Sequence, residues 1–437
     1  MTRRQDDDRA RPLLPLRGAL SVPGDKSISH RSVILAALAR GRARISGINL
    51  GDDVRATCRI LAQLGASVTL DEPNHTVEVE GCGWAGLAEP DSILDAGNSG
   101  TTLRAMVAIC AAAPGAAALT GDRTLRRRPM ARIVAPLRAM GASIDGRRGG
   151  ELPPLWVRGG ELRGVEWSSP VASAQVKTAL LLPGLVAAGK TSITEPAPSR
   201  DHTERMLAAA GIALERDGLT TTVAGGQELL PLNRRVPGDV SSAMFLIVAA
   251  TLIEGSDLTI TDVGLNPTRT GALDVLQRMG ADLTVSVLDD AGGEPVGTVT
   301  ARASELSGTD VGGAEVAALI DELPILALAA TQARGTTTMA GAQELRVKES
   351  DRIDALATGF RSLGADVEER PDGMIIHGPS DLRPGAIVSR GDHRVALTFA
   401  VAELVSGRRV AIDDPSCVDT SFPGWREVLA AAQGRAP

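Results

Sequence analysis

Lys26, Ser27, Ser29, His30 and Arg31 crowd together directly after a Pro23-Gly24 turn. The passage reads as the start of a helix running to Leu38, with Asp25 or Ser27 as its cap. Ser27 and Arg31 then lie one turn apart on one face. A helix start offers free backbone N–H groups and the positive end of a dipole, which together suit an anion. A capped surface helix accounts for this passage alone equally well. Gly97-Asn98-Ser99-Gly100-Thr101-Thr102 precedes a second expected helix, 103–112. Its small residues would let an anion approach the backbone, although a plain capping turn has the same composition. Ser173-Ala174-Gln175 stands before another apolar helix, Ser199-Arg200-Asp201-His202 begins a further one, and Asp392-His393-Arg394 opens the last apolar one.

What raises these passages above local caps is their recurrence. Cationic or small polar residues stand at helix starts at 26–31, 98–102, 173–175, 199–202 and 392–394. If these ends converge, one place collects many amides, dipoles and arginines. Two unit charges 4 Å apart repel by about 4 kcal/mol at an effective dielectric near 20, so two anionic ligands need such cations before they can be brought together. Asp321 and the run Arg346-Val347-Lys348-Glu349-Ser350-Asp351-Arg352 add carboxylates and further cations. On a helix, Lys348 and Arg352 would be one turn apart. Arg123, Arg126, Arg127 and Arg128 form a basic run of the kind usually solvated, of which at most one or two members need be functional.

Positioning these residues requires a repeat. An Ala- and Leu-rich helical stretch, a glycine and a strand-like run recur at Gly41, Gly115, Gly189, Gly255, Gly335 and Gly407. Glycine suits the left-handed residue that ends a helix, and the β-branched residues after it suit a strand. A second signal, helix then Gly-Ala then strand, recurs at Gly65, Gly141, Gly280 and Gly364, with a weaker copy at Gly211. The halves also match: Val22-Pro23-Gly24-Asp25 returns as Val236-Pro237-Gly238-Asp239. Six units of two helices and several strands, three in each half, are expected.

Bulk composition narrows the function. A net charge of −7 and an aromatic content of 2% exclude the basic surface and stacking platforms of a nucleic-acid binder, and argue against an anionic membrane as partner. Cys58, Cys82, Cys110 and Cys417 show no metal-ligand spacing, nor do the five histidines, so buried free thiols and no metal site are expected. Residues 1–12 read as a loose polar tail without a signal sequence. The longest apolar run, 243–253, is about half of a membrane span. A cytoplasmic location is the expectation.

Two familiar patterns occur in the wrong context. Gly184 to Thr191 fits the phosphate-loop pattern by letter, yet it is preceded by an expected helix and followed by an expected strand, the reverse of what that loop needs. Gly81-Cys82-Gly83-Trp84-Ala85-Gly86 fits the dinucleotide fingerprint, but no helix is expected after it.

The segments GDKSISHR (24–31), GNSGTTLR (97–104), RRRPM (126–130), SAQVK (173–177), RDHTERM (200–206), LRVKESDR (345–352), GDHR (391–394) and TSFPG (420–424) resemble those of 5-enolpyruvylshikimate-3-phosphate synthases, within the enolpyruvyl transferase family, in that family's order and along essentially the whole chain. The resemblance implies an α/β fold of two similar domains, each of three βαβαββ-type repeats forming an inside-out α/β barrel, with the active site in the interdomain cleft. The chain would cross between domains at the two Val-Pro-Gly-Asp turns, giving residues 1–24 plus 238–437 as one domain and 25–237 as the other.

The implied reaction uses no cofactor and no metal: the 5-hydroxyl of shikimate 3-phosphate attacks C2 of phosphoenolpyruvate while C3 is protonated, and the tetrahedral intermediate loses phosphate. By matching motifs, Lys26, Ser27, Arg31, Ser173, Ala174, Gln175, Arg200, Asp321 and Lys348 resemble the binders of shikimate 3-phosphate. Lys26, Asn98, Gly100, Arg128, Gln175, Arg352 and Arg394 resemble those of phosphoenolpyruvate. Asp321 matches the candidate base, Glu349 the candidate proton donor, and Lys26 a catalytic lysine. Thr420, Glu344 and Ala174 stand where some members carry Lys, Asn and Ser, which marks another subgroup and makes Thr420 and Glu344 poor ligand choices. Gly100 leaves room that a methyl group would fill, so sensitivity to glyphosate, the family's phosphoenolpyruvate-site inhibitor, is expected. A monomer is expected. The rival readings are the sister enzyme acting on UDP-N-acetylglucosamine, which typically has Lys-Asn where Lys26-Ser27 stands, and a silent anion-binding repeat protein.

Overall fold

Helices with apolar residues on all sides are buried along nearly their whole length: Lys26–Leu38, Gly100–Ala112, Ala174–Gly184, Val240–Leu252, Leu323–Gln332 and His393–Ser406. Others are amphipathic and cover them. Gly271–Arg278, for example, buries Leu273, Val275 and Leu276 and turns Arg278 outward. The computed structural model describes residues 10–435. Most of the expected polar tail therefore lies outside the described residues, while Arg11 N donates to Gly407 O at 2.8 Å.

The chain divides into two compact units. One comprises the residues up to Pro23, Gly238–Asp289 and those from Pro295 on; the other comprises Gly24–Pro237 and Asp290–Glu294. Each has its own apolar core, built almost entirely from Ala, Leu, Val and Ile. The four phenylalanines all fall in the first unit, where Phe360 and Phe399 pack at 4.8 Å between ring centroids. In the second unit, Asp290–Glu294 is held by His202, Arg205 and Arg234: His202 Nδ1 lies 2.8 Å from Glu294, and the two arginines donate to the carbonyls of Gly293 and Gly292 at 3.0 and 2.8 Å.

The βαβαββ order is plain between 94 and 158: strand Leu94–Asp95, helix Gly100–Ala112, strand Ala116–Thr120, helix Ala131–Ala139, then strands Ser143–Gly146 and Leu152–Arg158. In the sheet, Ala116–Thr120 pairs parallel with Leu94–Asp95 and antiparallel with Leu152–Arg158, which pairs in turn with Ser143–Gly146. Among the described residues this four-strand order occurs five times, and each unit closes on itself. Arg234–Arg235, late in the second unit, pairs parallel with its first long strand Arg40–Ser46; Arg17–Ser21 pairs likewise with Asp257–Gly264. The sixth repeat is shortened. Among the described residues Gly385–Ile387 pairs only with Val410–Ile412, and the helix Trp425–Ala432 follows in place of a hairpin.

Two local expectations need correction. The six repeat glycines all have positive φ, but only Gly407 is itself the residue ending a helix. Before Gly41, Gly115, Gly255 and Gly335 the chain leaves the helix through an extended residue, Ala39, Ala113, Ile253 and Ala333, and the glycine follows where the strand begins. Of the four free thiols, Cys58 and Cys110 are buried while Cys82 and Cys417 are half-buried. The reversed phosphate-loop pattern lies as read, between the helix Ala174–Gly184 and the strand Lys190–Thr194. No helix among the described residues is long and apolar enough to cross a membrane.

Candidate active site

In the unit containing Gly24–Pro237, the starts of three buried helices are tied to one another by side chains. Asp25 caps the first, accepting from Ile28 N at 2.8 Å. His30 Nδ1 lies 2.7 Å from Thr57 Oγ1, which is 2.7 Å from Thr102 Oγ1, which donates to Ser99 Oγ, the cap of the second. Arg104 on the second helix donates to Gln175 Oε1 on the third at 2.7 Å, and Gln175 Nε2 reaches Thr101 Oγ1 at 3.2 Å.

This network fixes the cations. Lys26 Nζ lies 3.0 Å from Asp53. Arg31 is buried and donates to Thr203 at 2.8 Å, Thr178 at 2.9 Å and the Ser27 carbonyl at 3.0 Å. Burial pushes its pKa down to about 10, Glu204 being the chief opposing influence, so it remains charged at neutral pH. Arg200, in the loop before the helix His202–Ala209, lies close enough to Arg31 to lower its pKa further. Arg128 comes within van der Waals range of Gly100: a methyl group there would stand 2.9 Å from both Arg128 Nη1 and Arg104 Nη1. Ser173 N donates to Glu195 at 2.7 Å, and Glu195 is paired with buried Lys177 at 3.0 Å. Asn98 turns its amide to Asp122 at 2.7 Å. Lys26, Ser27 and Arg31 thus come with Gly100, Arg128 and Gln175 into one constellation.

The other unit gathers the remaining residues. Arg352, almost wholly buried, donates through Nη2 to Glu349 at 2.6 Å and through Nε to Asp392 at 2.8 Å, while Nη1 reaches Asp321 at 3.3 Å. Burial alone would lower its pKa, but Asp392 foremost, then Glu349 and Asp321, more than reverse this, so Arg352 is a permanent cation. Lys348 Nζ lies 3.3 Å from Asp321. Arg394 Nη1 donates to the Asp321 carbonyl at 2.8 Å. Lys348 and Arg352 do meet at Asp321, but not as neighbours on a helix. Lys348 follows the 3-10 turn Gln343–Val347, and the α-helix begins only at Arg352, capped by Asp351. The charged run continues no apolar period, so the helix waits for Ile353 and Leu356 to supply a buried face.

Several residues escaped sequence reasoning. Arg104 was visible as the residue one turn after Gly100, on the same face of the helix. Asp392 was read only as part of a helix opening, yet it caps that helix and holds Arg352. Ser241, Arg269 and Glu322, all buried, meet near Arg394 and carried no spacing signal, since Glu322 and Arg394 each come from a different repeat than Ser241 and Arg269. Together the second constellation sets two partly accessible carboxylates on one fixed guanidinium, an arrangement able to accept one proton and supply another.

The whole fold is that of the enolpyruvyl transferases. The enolpyruvyl transferase NikO from Streptomyces tendae, 20% identical, superposes with a TM-score of 0.77 over 97% of this chain and 98% of that one. The match narrows with the EPSP synthase from Acinetobacter baumannii, 41% identical with a TM-score of 0.84 over 96% of this chain and 97% of that one. In sequence, the 3-phosphoshikimate 1-carboxyvinyltransferases of Desulforudis audaxviator and Bacillus cytotoxicus are 50% and 46% identical over 96% and 95% of this chain, and over 97% and 98% of those proteins. The family model for EPSP synthase (3-phosphoshikimate 1-carboxyvinyltransferase) matches residues 11–429, and the chain belongs to that family.

Proposed function

We propose that residues of both constellations serve a single transfer, one set of side chains holding each substrate. The chain is an enzyme that transfers the enolpyruvyl group of phosphoenolpyruvate to the 5-hydroxyl of shikimate 3-phosphate, releasing phosphate, in the shikimate pathway to chorismate and the aromatic amino acids. Ser27, Arg31, Ser173, Ala174, Gln175, Arg200, Asp321 and Lys348 hold shikimate 3-phosphate in this reading. Asn98, Gly100, Arg128, Gln175, Arg352 and Arg394 hold phosphoenolpyruvate, and Lys26 touches both.

Asp321 takes the proton of the attacking hydroxyl and Glu349 supplies one to the methylene carbon. The observation that carries this assignment is the shared guanidinium of Arg352, which keeps both carboxylates in place while leaving each partly accessible. Cations held in place by buried hydrogen bonds suit the charge that develops as phosphate departs. Monomeric action in the cytoplasm belongs to the same proposal.

The division of substrates is tested by the two Michaelis constants. Arg200→Ala should raise that for shikimate 3-phosphate by about tenfold or more, and Arg128→Ala that for phosphoenolpyruvate, as expected for loss of charge-assisted contacts. The same substrate affected by both substitutions would contradict the division.

A further inference from the structure

Glu322 has no part in the roles assigned above, yet it is among the most deeply buried carboxylates of its unit, 1% exposed. It stands immediately before the helix Leu323–Gln332 and meets residues from the starts of two other buried helices. From Val240–Leu252, the Ser241 hydroxyl donates to Glu322 Oε1 in a short hydrogen bond. From His393–Ser406, Arg394 Nη1 lies 3.6 Å from the same oxygen. Arg269 Nη2 donates to Ser241 Oγ at 2.6 Å and lies 4.0 Å from Glu322, which obliges the Ser241 proton to point at the carboxylate. Glu322 Oε2 is buried without a hydrogen-bond partner among the described residues.

A buried carboxylate with an oxygen left unsatisfied is costly unless nearby positive charge compensates it. Here two buried arginines and three converging helix N-termini do so. The reverse also holds: Arg269 and Arg394 are like charges that need a counter-ion between them. Asp239 shares Arg269 with Glu322, at 3.3 Å. On Arg394 the opposing charges among the described residues are Glu322 at 3.6 Å and the Asp321 carboxylate at 4.0 Å, while Nη1 donates a short bond to the Asp321 carbonyl.

We infer that Glu322 is a positioning residue for phosphoenolpyruvate binding: its carboxylate, fixed by Ser241, holds the Arg394 guanidinium on the Asp321 carbonyl and so aims it at the substrate. This deepens the proposal that Arg394 binds phosphoenolpyruvate and rests on it. Glu322 makes no contact with substrate in this reading and acts only through Arg394.

The sign of one constant separates this from the alternatives. Glu322→Gln keeps volume and an acceptor for Ser241 but removes the charge. If Glu322 merely adds background negative charge, its removal strengthens anion binding and KM for phosphoenolpyruvate falls. If it only supports the fold, the melting temperature drops and the constant stays put. Positioning predicts a rise of fivefold or more in KM for phosphoenolpyruvate, with KM for shikimate 3-phosphate within twofold of the parent. A fall or no change overturns the inference. Ser241→Ala, which spares the charge, should raise the same constant by a smaller factor, and decides the matter if Glu322→Gln does not fold; no rise there would then overturn it. Arg394→Lys run alongside tells the two failures apart: if it too leaves phosphoenolpyruvate unaffected, the role of Arg394 itself is wrong.

Discussion

Asp321 and Glu349 are bound to the same guanidinium: Arg352 Nη1 meets Asp321 at 3.3 Å, and Arg352 Nη2 meets Glu349 at 2.6 Å. The two carboxylates come from segments far apart in sequence, and Asp392 holds the remaining edge of Arg352 so that it cannot follow either one. A permanent cation between the two carboxylates fixes their spacing without itself exchanging a proton. General acid–base work is the role proposed for the pair.

Removing either group should therefore cost turnover rather than binding. Asp321→Asn and Glu349→Gln each preserve shape, and each should lower kcat by about 10²–10⁴-fold, the usual range for a general acid or base. Steady-state kinetics with both substrates varied checks this, together with a binding titration of shikimate 3-phosphate that should change little. Unchanged turnover in either variant would remove that residue from its role.

At Gly100 the issue is space. A methyl group there would stand 2.9 Å from Arg128 Nη1 and 3.0 Å from Arg128 Cζ, too close for the guanidinium to stay where it is. Gly100→Ala should raise KM for phosphoenolpyruvate several-fold and leave that for shikimate 3-phosphate nearly unchanged. Glyphosate should inhibit the parent in the presence of shikimate 3-phosphate and the variant less. An unmeasurable inhibition constant for the parent would refute the expected sensitivity.

How much of this could be read from the sequence depends on whether a signal was local. The helix start at Lys26, the reversed phosphate-loop pattern and the six-unit repeat were legible because each rests on contiguous turn chemistry and apolar period, whereas the helix expected from 103 begins three residues earlier, at Gly100, where Ser99 caps it. Arg128 could not be told from Arg126 and Arg127 by composition, since only its approach to Gly100 distinguishes it. The spacing of Lys348 and Arg352 would make them neighbours on a helix, whereas the backbone follows burial and delays the helix to Arg352. The Ser241–Glu322–Arg394 contact was illegible altogether. It is made by three repeats whose mutual arrangement appears only once the unit is folded.

The helix Arg352–Ser362 offers a stability test. Gly359 lies against Phe399: a methyl group at that position would come within 2.3 Å of its Cζ. Helix propensity alone would favour alanine by about 1 kcal/mol. Overpacking of about 1–3 kcal/mol should outweigh that gain, because Phe399 is fully buried against Phe360 and has little room to retreat. Gly359→Ala should thus lower the urea midpoint. A higher midpoint would show that the ring moves freely.

His30 makes stability depend on pH. It is fully buried and its pKa is held well below 6.5, by desolvation first and then by Lys26 and Arg31. The native state therefore keeps it neutral where the unfolded chain takes up a proton. Its contribution is complete above pH 6.5 and is lost as pH falls toward the native pKa. At pH 5.5 the loss is on the order of 1 kcal/mol if the unfolded histidine titrates normally. Urea unfolding at pH 7.5 and 5.5 should show this difference in the parent, reduced by about that amount in His30→Gln. An equal difference in both would assign the pH dependence to other groups.

The most direct test is the choice of acceptor. Purified protein incubated with phosphoenolpyruvate should release inorganic phosphate when shikimate 3-phosphate is added, and none above background with UDP-N-acetylglucosamine. Phosphate release with the nucleotide sugar alone, or with neither acceptor while both substrates bind, would contradict the account.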